Sequence, residues 1–425
     1  MSATGRALPL AGVRVLDLSR LLPGGFCSLL LADYGADVLK VEDMGMGDYI
    51  RWSPPYVEGA AQSARSALFL ALNRNKRSMR IDVAQDAGRE VLLALVRQHD
   101  VVLESFRPGV LDRLGVGYET MRAVNPKLVY CAITGYGQDG QLRDRVGHDV
   151  NYLARTGLLE LTGEPGGPPI QSAGQIADLG GGALMAAFGI LAALREAERT
   201  GEGQLVDVAM ADGALSWLVL VAARFLAEAE SEADGADPPR RGMLELAGGL
   251  ACYRPYACAD GGWVALGALE AKFWAAWCRG VGREDLVAEQ FAAPGSAGHG
   301  AVEAVFATRT RAEWEVFAAE HECCLEPVLD LREALSSEQV RARGMVVGLD
   351  QPGAARPVSL LGAPVKLSRT PADANRLPGP QLGEHTMPVL RAAGYDDARI
   401  AQLLAAGTVA GPPDAADEPG GSFLA

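Results

Sequence analysis

The sequence predicts an α/β protein: a Rossmann-like large domain built on a parallel sheet, plus a smaller α+β domain. Three observations carry this. In the first half of the chain, short apolar runs rich in β-branched residues alternate with helical spacing, and strands separated by helices form parallel sheets. An acidic, then Pro/Gly-rich stretch interrupts the chain near its middle. The length, 425 residues, exceeds what one hydrophobic core ordinarily serves.

The elements follow in order. VRVLDLS (13–19) is the first strand, LLPGG (21–25) a turn, FCSLLLADYG (26–35) a helix stopped by Gly35, and DVLKVE (37–42) the second strand. A helical stretch over 86–98 leads into DVVLESF (100–106), and another precedes LVYCAITGYG (128–137). The first turn, LPGGF, lacks the GxGxxG pattern, so nicotinamide binding is not expected. Residues 178–201 read as one long helix with Asp178 as its N-cap and Gly201 as its stop. QLVDVAM (204–210) is a strand, and EAESEADGADPPRRG (228–242) reads as a linker. LACYRPYA (250–257) and WVALGAL (263–269) form a hairpin, with helical patterns to about residue 321. The expected division is 1–227 for the first part of the large domain and 243–326 for the small domain. Residues 327–410 are the return to the large domain, and 411–425 a disordered tail.

Composition narrows the function. A formal net charge of −14 argues against nucleic acid as a partner. It leaves room for a small anionic ligand held by a local basic pocket. No uninterrupted apolar run reaches the roughly 20 residues of a membrane span. The opening MSATGRALPLAG has no apolar signal core, so no secretion and no membrane partner are expected. The seven scattered cysteines form no CxxC pair, which fits reduced thiols and a cytoplasmic location. Five histidines in no metal-binding spacing predict no metal.

Several residues carry acid–base or anion-binding chemistry. Asp178, in ADLGGG (177–182), places a carboxylate at a helix start, where it either caps the helix or faces a ligand. The glycines after it permit close helix packing or close approach of a ligand. His148, in GHDVNYL (147–153), carries an imidazole suited to proton transfer at neutral pH. Asp149 is also titratable, but neighbours at a helix start diverge, so only one of the two is expected to face a site. NRNKRSMR (73–80) concentrates Arg74, Lys76, Arg77 and Arg80, either as a solvated loop before a strand at 79–83 or as a phosphate anchor. Arg107 ends another strand and can join that anchor, because ligands gather at the carboxyl ends of parallel strands. Glu270 ends the strand pattern of ALGALE (265–270).

GHDVNYLARTG (147–157), ADLGGGALMAAFGILAAL (177–194), TGEGQLVDVAMADG (200–213) and VALGALEAKFW (264–274) occur in this order. Together they resemble the family III CoA-transferases (CaiB/BaiF) and, within them, the α-methylacyl-CoA racemases. The resemblance implies an interlocked homodimer acting on acyl-CoA thioesters, with no cofactor beyond coenzyme A as part of the substrate. Asp178 matches a residue that is a nucleophile in the transferases and an acid–base group in the racemases. His148 matches the racemases' other acid–base group, and Glu270 a catalytic-site glutamate of their small domain. The resemblance further implies CoA or substrate contacts from Arg74, Lys76, Arg77, Arg80, Ile81, Arg107, Gly135, Tyr136, Gly147, Asp149, Asn151, Tyr152, Gly248 and Gly249. Asp43 stands where the racemases have an arginine that contacts CoA. The implied reaction is racemisation of a 2-methyl-branched acyl-CoA by two-base α-proton transfer. The alternative is CoA transfer to a carboxylic acid through an Asp178 acyl anhydride, and DYIRWSPPYVEGAAQSARSALFLALNRNKRS (48–78) resembles the transferases.

Overall fold

The structure is a computed structural model and describes residues 7–231 and 237–413. Twelve strands lie among the described residues: β1 Arg14–Asp17, β2 Asp37–Glu42, β3 Lys76–Ile81, β4 Val101–Glu104, β5 Val129–Thr134, β6 Leu205–Ala209, β7 Tyr253–Ala257, β8 Trp263–Gly267, β9 Leu325–Pro327, β10 Val346–Leu349, β11 Val358–Leu361 and β12 Val409–Ala410. They form a seven-stranded sheet in the order β12-β3-β2-β1-β4-β5-β6, a hairpin β10-β11, and a three-stranded sheet β7-β8-β9. Within the large sheet every neighbouring pair is parallel except β12 with β3. β4 and β5 are buried along their whole length, as expected of a parallel sheet covered by helices on both faces. The strand order reverses direction at β1, which sits between β2 and β4. The crevice beyond the carboxyl ends of β1 and β4 is therefore the topological switch point, where ligands of open α/β sheets bind.

The chain divides into two compact units. One comprises 1–152, 174–216 and 338–425; the other comprises 153–173 and 217–337. This corrects the expected boundaries. Residues 153–173, 217–227 and 327–337 group with the smaller unit, and the chain returns to the larger one at Glu338. Helix Val219–Ser231 runs into the expected linker because its alanines and glutamates are good helix formers. Residues 232–236 of that linker lie outside the described residues, as does the tail from 414.

The larger unit packs Leu16, Leu39, Met79, Val102 and Tyr130 of the sheet against Val91, Leu95, Met121 and Leu403 of flanking helices. The smaller unit has its own aromatic core, in which Trp277 and Tyr256 stack on Phe306 with ring centroids 5.1 and 4.3 Å apart. Helical geometry is continuous over Ile176–Thr200, and these 25 residues are long and apolar enough to cross a membrane by length and composition. A search for uninterrupted apolar runs misses this because Asp178 breaks the run. Its buried residues include Ala183, Ala186, Ile190, Ala193 and Ala197, so it serves as a core helix of the larger unit.

Candidate functional site

The first part of the site is the loop after β5. His148 directly precedes helix Asp149–Arg155. Its carbonyl accepts from the backbone N–H of Asn151 at 2.8 Å, and its own N–H donates to Asn151 Oδ1 at 3.0 Å. This reciprocal pair fixes the turn while the imidazole stays exposed. Tyr152 anchors the turn from below, donating its hydroxyl to the Gly147 carbonyl at 2.5 Å. A Cβ at Gly135 or Gly147 would lie 2.5 or 2.8 Å from the Tyr152 ring, so both positions need glycine. Tyr136 meets the same ring edge-on, centroids 5.2 Å apart. The structure thus gathers Gly135, Tyr136, Gly147, Asn151 and Tyr152 around His148.

The second part is the Asp178 segment. Asp178 does not cap a helix. It is the third residue of a π-helical stretch, Ile176–Leu184, that runs into α-helix Met185–Thr200. π-Helical turns inside α-helices occur frequently at functional sites. The N-cap expectation fails because Asp149 already takes the free N–H groups. Its Oδ1 accepts from Ala177 N at 2.7 Å and Asp178 N at 3.0 Å. The two neighbours therefore divide their work. His148 faces outward, and Asp149, only 3% exposed, turns inward and ties its segment to the one thirty residues on. This corrects Asp149 as a substrate contact, although its other oxygen, Oδ2, is buried without a partner.

Electrostatics follow from that bracket. Burial pushes the Asp178 carboxyl up from its ordinary 3.8 to about 6; the nearby Asp149 charge pushes the same way, and His148 pulls it back. Burial and the negative charge of Asp178 also raise the Tyr152 hydroxyl to about 12. The glycines after Asp178 serve close packing rather than ligand approach at Gly181. A Cβ there would meet Met210 O at 2.5 Å and Ala214 N at 2.8 Å, where helix Met210–Ser216 crosses.

The basic cluster at 73–80 needs correction. It forms strand β3 rather than a loop. Arg74, 2% exposed, grips Asp33 through Nε at 3.2 Å and Nη2 at 2.7 Å. Lys76, 1% exposed, donates to Ser28 Oγ at 2.7 Å, Asn73 Oδ1 at 2.9 Å and Asp17 Oδ2 at 3.3 Å. Arg80 is bound by the carbonyls of Met44 and Gly411, and Ile81 is core. Arg77, half-buried, pairs with Asp37 at 2.7 Å. Arg74 and Lys76 balance the buried carboxylates of Asp33 and Asp17 inside the fold, which leaves neither exposed to a phosphate.

A different basic cluster occupies the switch point. Arg107 is exposed after β4. At Gly109 the guanidinium groups of Arg113 and Arg143 converge, 3.3 and 3.5 Å from where a Cβ would stand. No ion pair involves Arg107, Arg113, Arg143 or Arg145 among the described residues. Sequence reading missed Arg113 and Arg143, which lie thirty residues apart and meet because β4 and β5 are parallel neighbours. Asp43 pairs with Arg20, which stands after β1 and also bonds the Tyr49 hydroxyl at 2.9 Å.

Glu270 lies in the smaller unit as the exposed N-cap of helix Ala271–Gly280. Gly248 and Gly249 belong to the same unit; Gly248 has φ +94°, and a Cβ at Gly249 would strike the Met243 backbone. Among the described residues no three metal-ligating side chains converge.

Residues 10–386 match the family described as CoA-transferase family III. Alpha-methylacyl-CoA racemase of Mus musculus is 36% identical over 397 residues, covering 93% of this chain and 96% of the racemase. Succinyl-CoA:mesaconate CoA-transferase of Haloarcula marismortui is 36% identical over 398 residues, covering 90% of this chain and 96% of the transferase. Among solved structures, a CAIB/BAIF family protein from Brucella suis aligns with a TM-score of 0.76 at 30% identity, covering 91% of this chain and 100% of that one.

Proposed function

Because this chain belongs to CoA-transferase family III, we propose that it racemises 2-methyl-branched acyl-CoA thioesters by moving the α-proton between His148 and Asp178. The supporting observation is a carboxyl held at about 6 beside an imidazole. A carboxyl raised toward neutral pH and an imidazole can exchange the roles of acid and base. Arg107, Arg113 and Arg143 hold the CoA phosphates, which places the thioester. His148 takes the α-proton from one face, and the electron pair moves into the thioester carbonyl as an enolate. Protonated Asp178 delivers a proton to the other face. His148 is left charged and Asp178 ionised; the reverse pass or exchange with water restores them. The thioester acidifies its own α-carbon, so the reaction takes no further cofactor. We place it in the cytoplasm, in a homodimer of interlocked copies. Exposed Trp217, Val219 and Leu220, 50–68% accessible, are the kind of apolar surface that a second copy covers.

One epimer of a 2-methylacyl-CoA in deuterated water, without acceptor acid, tests this. Deuterium should enter at the α-carbon in the wild type and not in His148→Ala. No deuterium, with CoA passing to an added acid, would overturn the reading in favour of transfer. That second reading is supported by the equal identity to a transferase and by the 48–78 segment. In it, ionised Asp178 attacks the thioester carbonyl and expels CoA thiolate, leaving a mixed anhydride. The thiolate then attacks the aspartyl carbonyl and releases the first acid, and an acceptor acid later takes the CoA. Hydroxylamine should trap the aspartyl-CoA thioester during turnover.

A further inference from the structure

Glu104 is the last residue of β4, buried, and shortly precedes Arg107. Its Oε2 accepts from the Phe106 N–H at 2.7 Å. The Arg107 carbonyl then accepts from the Val110 N–H at 3.1 Å, closing a turn through left-handed Gly109, φ +76°. The Glu104 carboxyl also shares a hydrogen bond with the Tyr130 hydroxyl of β5. What it lacks is a cation. Buried Asp33, Glu42 and Asp17 pair with Arg74 at 2.7 Å, Arg51 at 2.6 Å and Lys76 at 3.3 Å, whereas Glu104 forms no ion pair among the described residues. The titratable groups facing it are Tyr130 and Cys131 of β5, Asp207 of β6 and Asp112 of helix Val110–Arg113, none of them a cation. Burial, reinforced by the charges of Asp112 and Asp207, pushes its carboxyl up to about 8, so it is mostly a neutral acid at neutral pH. Arg107, Arg113 and Arg143 have no carboxylate partner among the described residues, and Arg143 Nε is buried without a bond.

A negative charge at the end of β4 would oppose the arginines just beyond it and weaken their pull on an anion. A neutral acid holds the turn without that loss. We propose that Glu104 is a positioning residue for phosphate binding: as an uncharged acid it fixes the Arg107 turn through Phe106 and leaves the field of the arginine cluster undiminished. Ionisation of Glu104 then loosens the ligand. By linkage, bound phosphates keep Glu104 protonated to higher pH. This role rests on Arg107, Arg113 and Arg143 being the CoA anchor, as proposed above.

Desulfo-CoA is a suitable probe, because it carries the CoA phosphates and no thiol that titrates. Measured by calorimetry on the full chain, it should bind about fivefold more weakly at pH 9 than at pH 7. At pH 8.5 binding should take up part of a proton, read from the dependence of the heat on the ionisation enthalpy of the buffer. Glu104→Gln keeps an acceptor and stays uncharged, so it should bind with one affinity across that range and take up no proton. Glu104→Met is uncharged and has no acceptor for Phe106, and should bind about tenfold more weakly than Glu104→Gln at both pH values. Wild-type affinity independent of pH, or a pH dependence and proton uptake that persist in Glu104→Gln, overturns the role of Glu104 without needing Glu104→Met to fold. Equal affinities of the two variants would overturn its part in fixing the turn. Desulfo-CoA binding at no pH would overturn the anchor itself, and this role with it.

Discussion

Asp149 explains why two residues thirty positions apart act together. One oxygen accepts from the successive N–H groups of Ala177 and Asp178, and its charge helps keep Asp178 partly protonated near neutral pH. Asp149→Asn keeps an acceptor for both N–H groups but removes the charge. The Asp178 titration, followed by carboxyl-carbon NMR, should then move to lower pH from about 6; an unmoved midpoint would leave burial as the sole cause. The sequence was legible here to the level of His148 and Asp178. It was silent on which way Asp149 points, because a histidine and an aspartate side by side present the same pattern whichever turns inward. The switch-point arginines give a second prediction. Arg113→Ser and Arg143→Ser should each weaken CoA binding about tenfold, the worth of one charge-assisted bond, with thermal stability unchanged.

Strand β3 shows where sequence reading fails. Lysine and arginine in a row suggest solvent, but Lys76 is a hub for Asp17, Ser28 and Asn73, supplied by β1 and two helices. Nothing local to residues 73–80 announces carboxylates forty to sixty positions earlier. Lys76→Ala takes from buried Asp17 one of its two countercharges, the other being Lys40, and should cost about 3 kcal/mol in chemical denaturation, the low end for breaking a buried pair. CoA affinity of the protein that remains folded should not change, the opposite signature to Arg113→Ser. The crossing of helix Met210–Ser216 over the Asp178 segment is equally specific. Gly181→Ala drives a methyl into backbone atoms that cannot rotate away, for about 1–3 kcal/mol of destabilisation. The residues that made the segment look catalytic are thus partly there for packing. Their sequence, three glycines after an acid, does not distinguish the two uses.

At the scale of the molecule, alternation of strands and helices was enough to predict the parallel sheet, while the unit boundaries were not legible. Residues 153–173 look like any helix-and-turn segment; their grouping with 217–337 is a property of tertiary contacts. The sheet also carries a global pH signature. Glu104, buried at the end of β4, is raised by burial from 4.5 to about 8. The unfolded chain releases this proton near 4.5 and the folded one only near 8, so the contribution of Glu104 to stability is present in full below 4.5. It falls as pH rises through that window. Glu104→Gln should therefore gain stability relative to the wild type as pH rises from 5 to 8, read as a widening difference in Tm; a constant difference would mean that Glu104 ionises normally.

β12 has a consequence for how the protein is made. Val409 and Ala410 pair antiparallel with Ile81 and Arg80, covering the outer edge of β3. During translation, more than three hundred residues are added between the two partners. The nascent sheet therefore spends most of its synthesis with one edge bare, and a bare edge is a template for pairing with another chain. A ribosome stalled before codon 409 would hold a nearly finished sheet that still lacks its final strand.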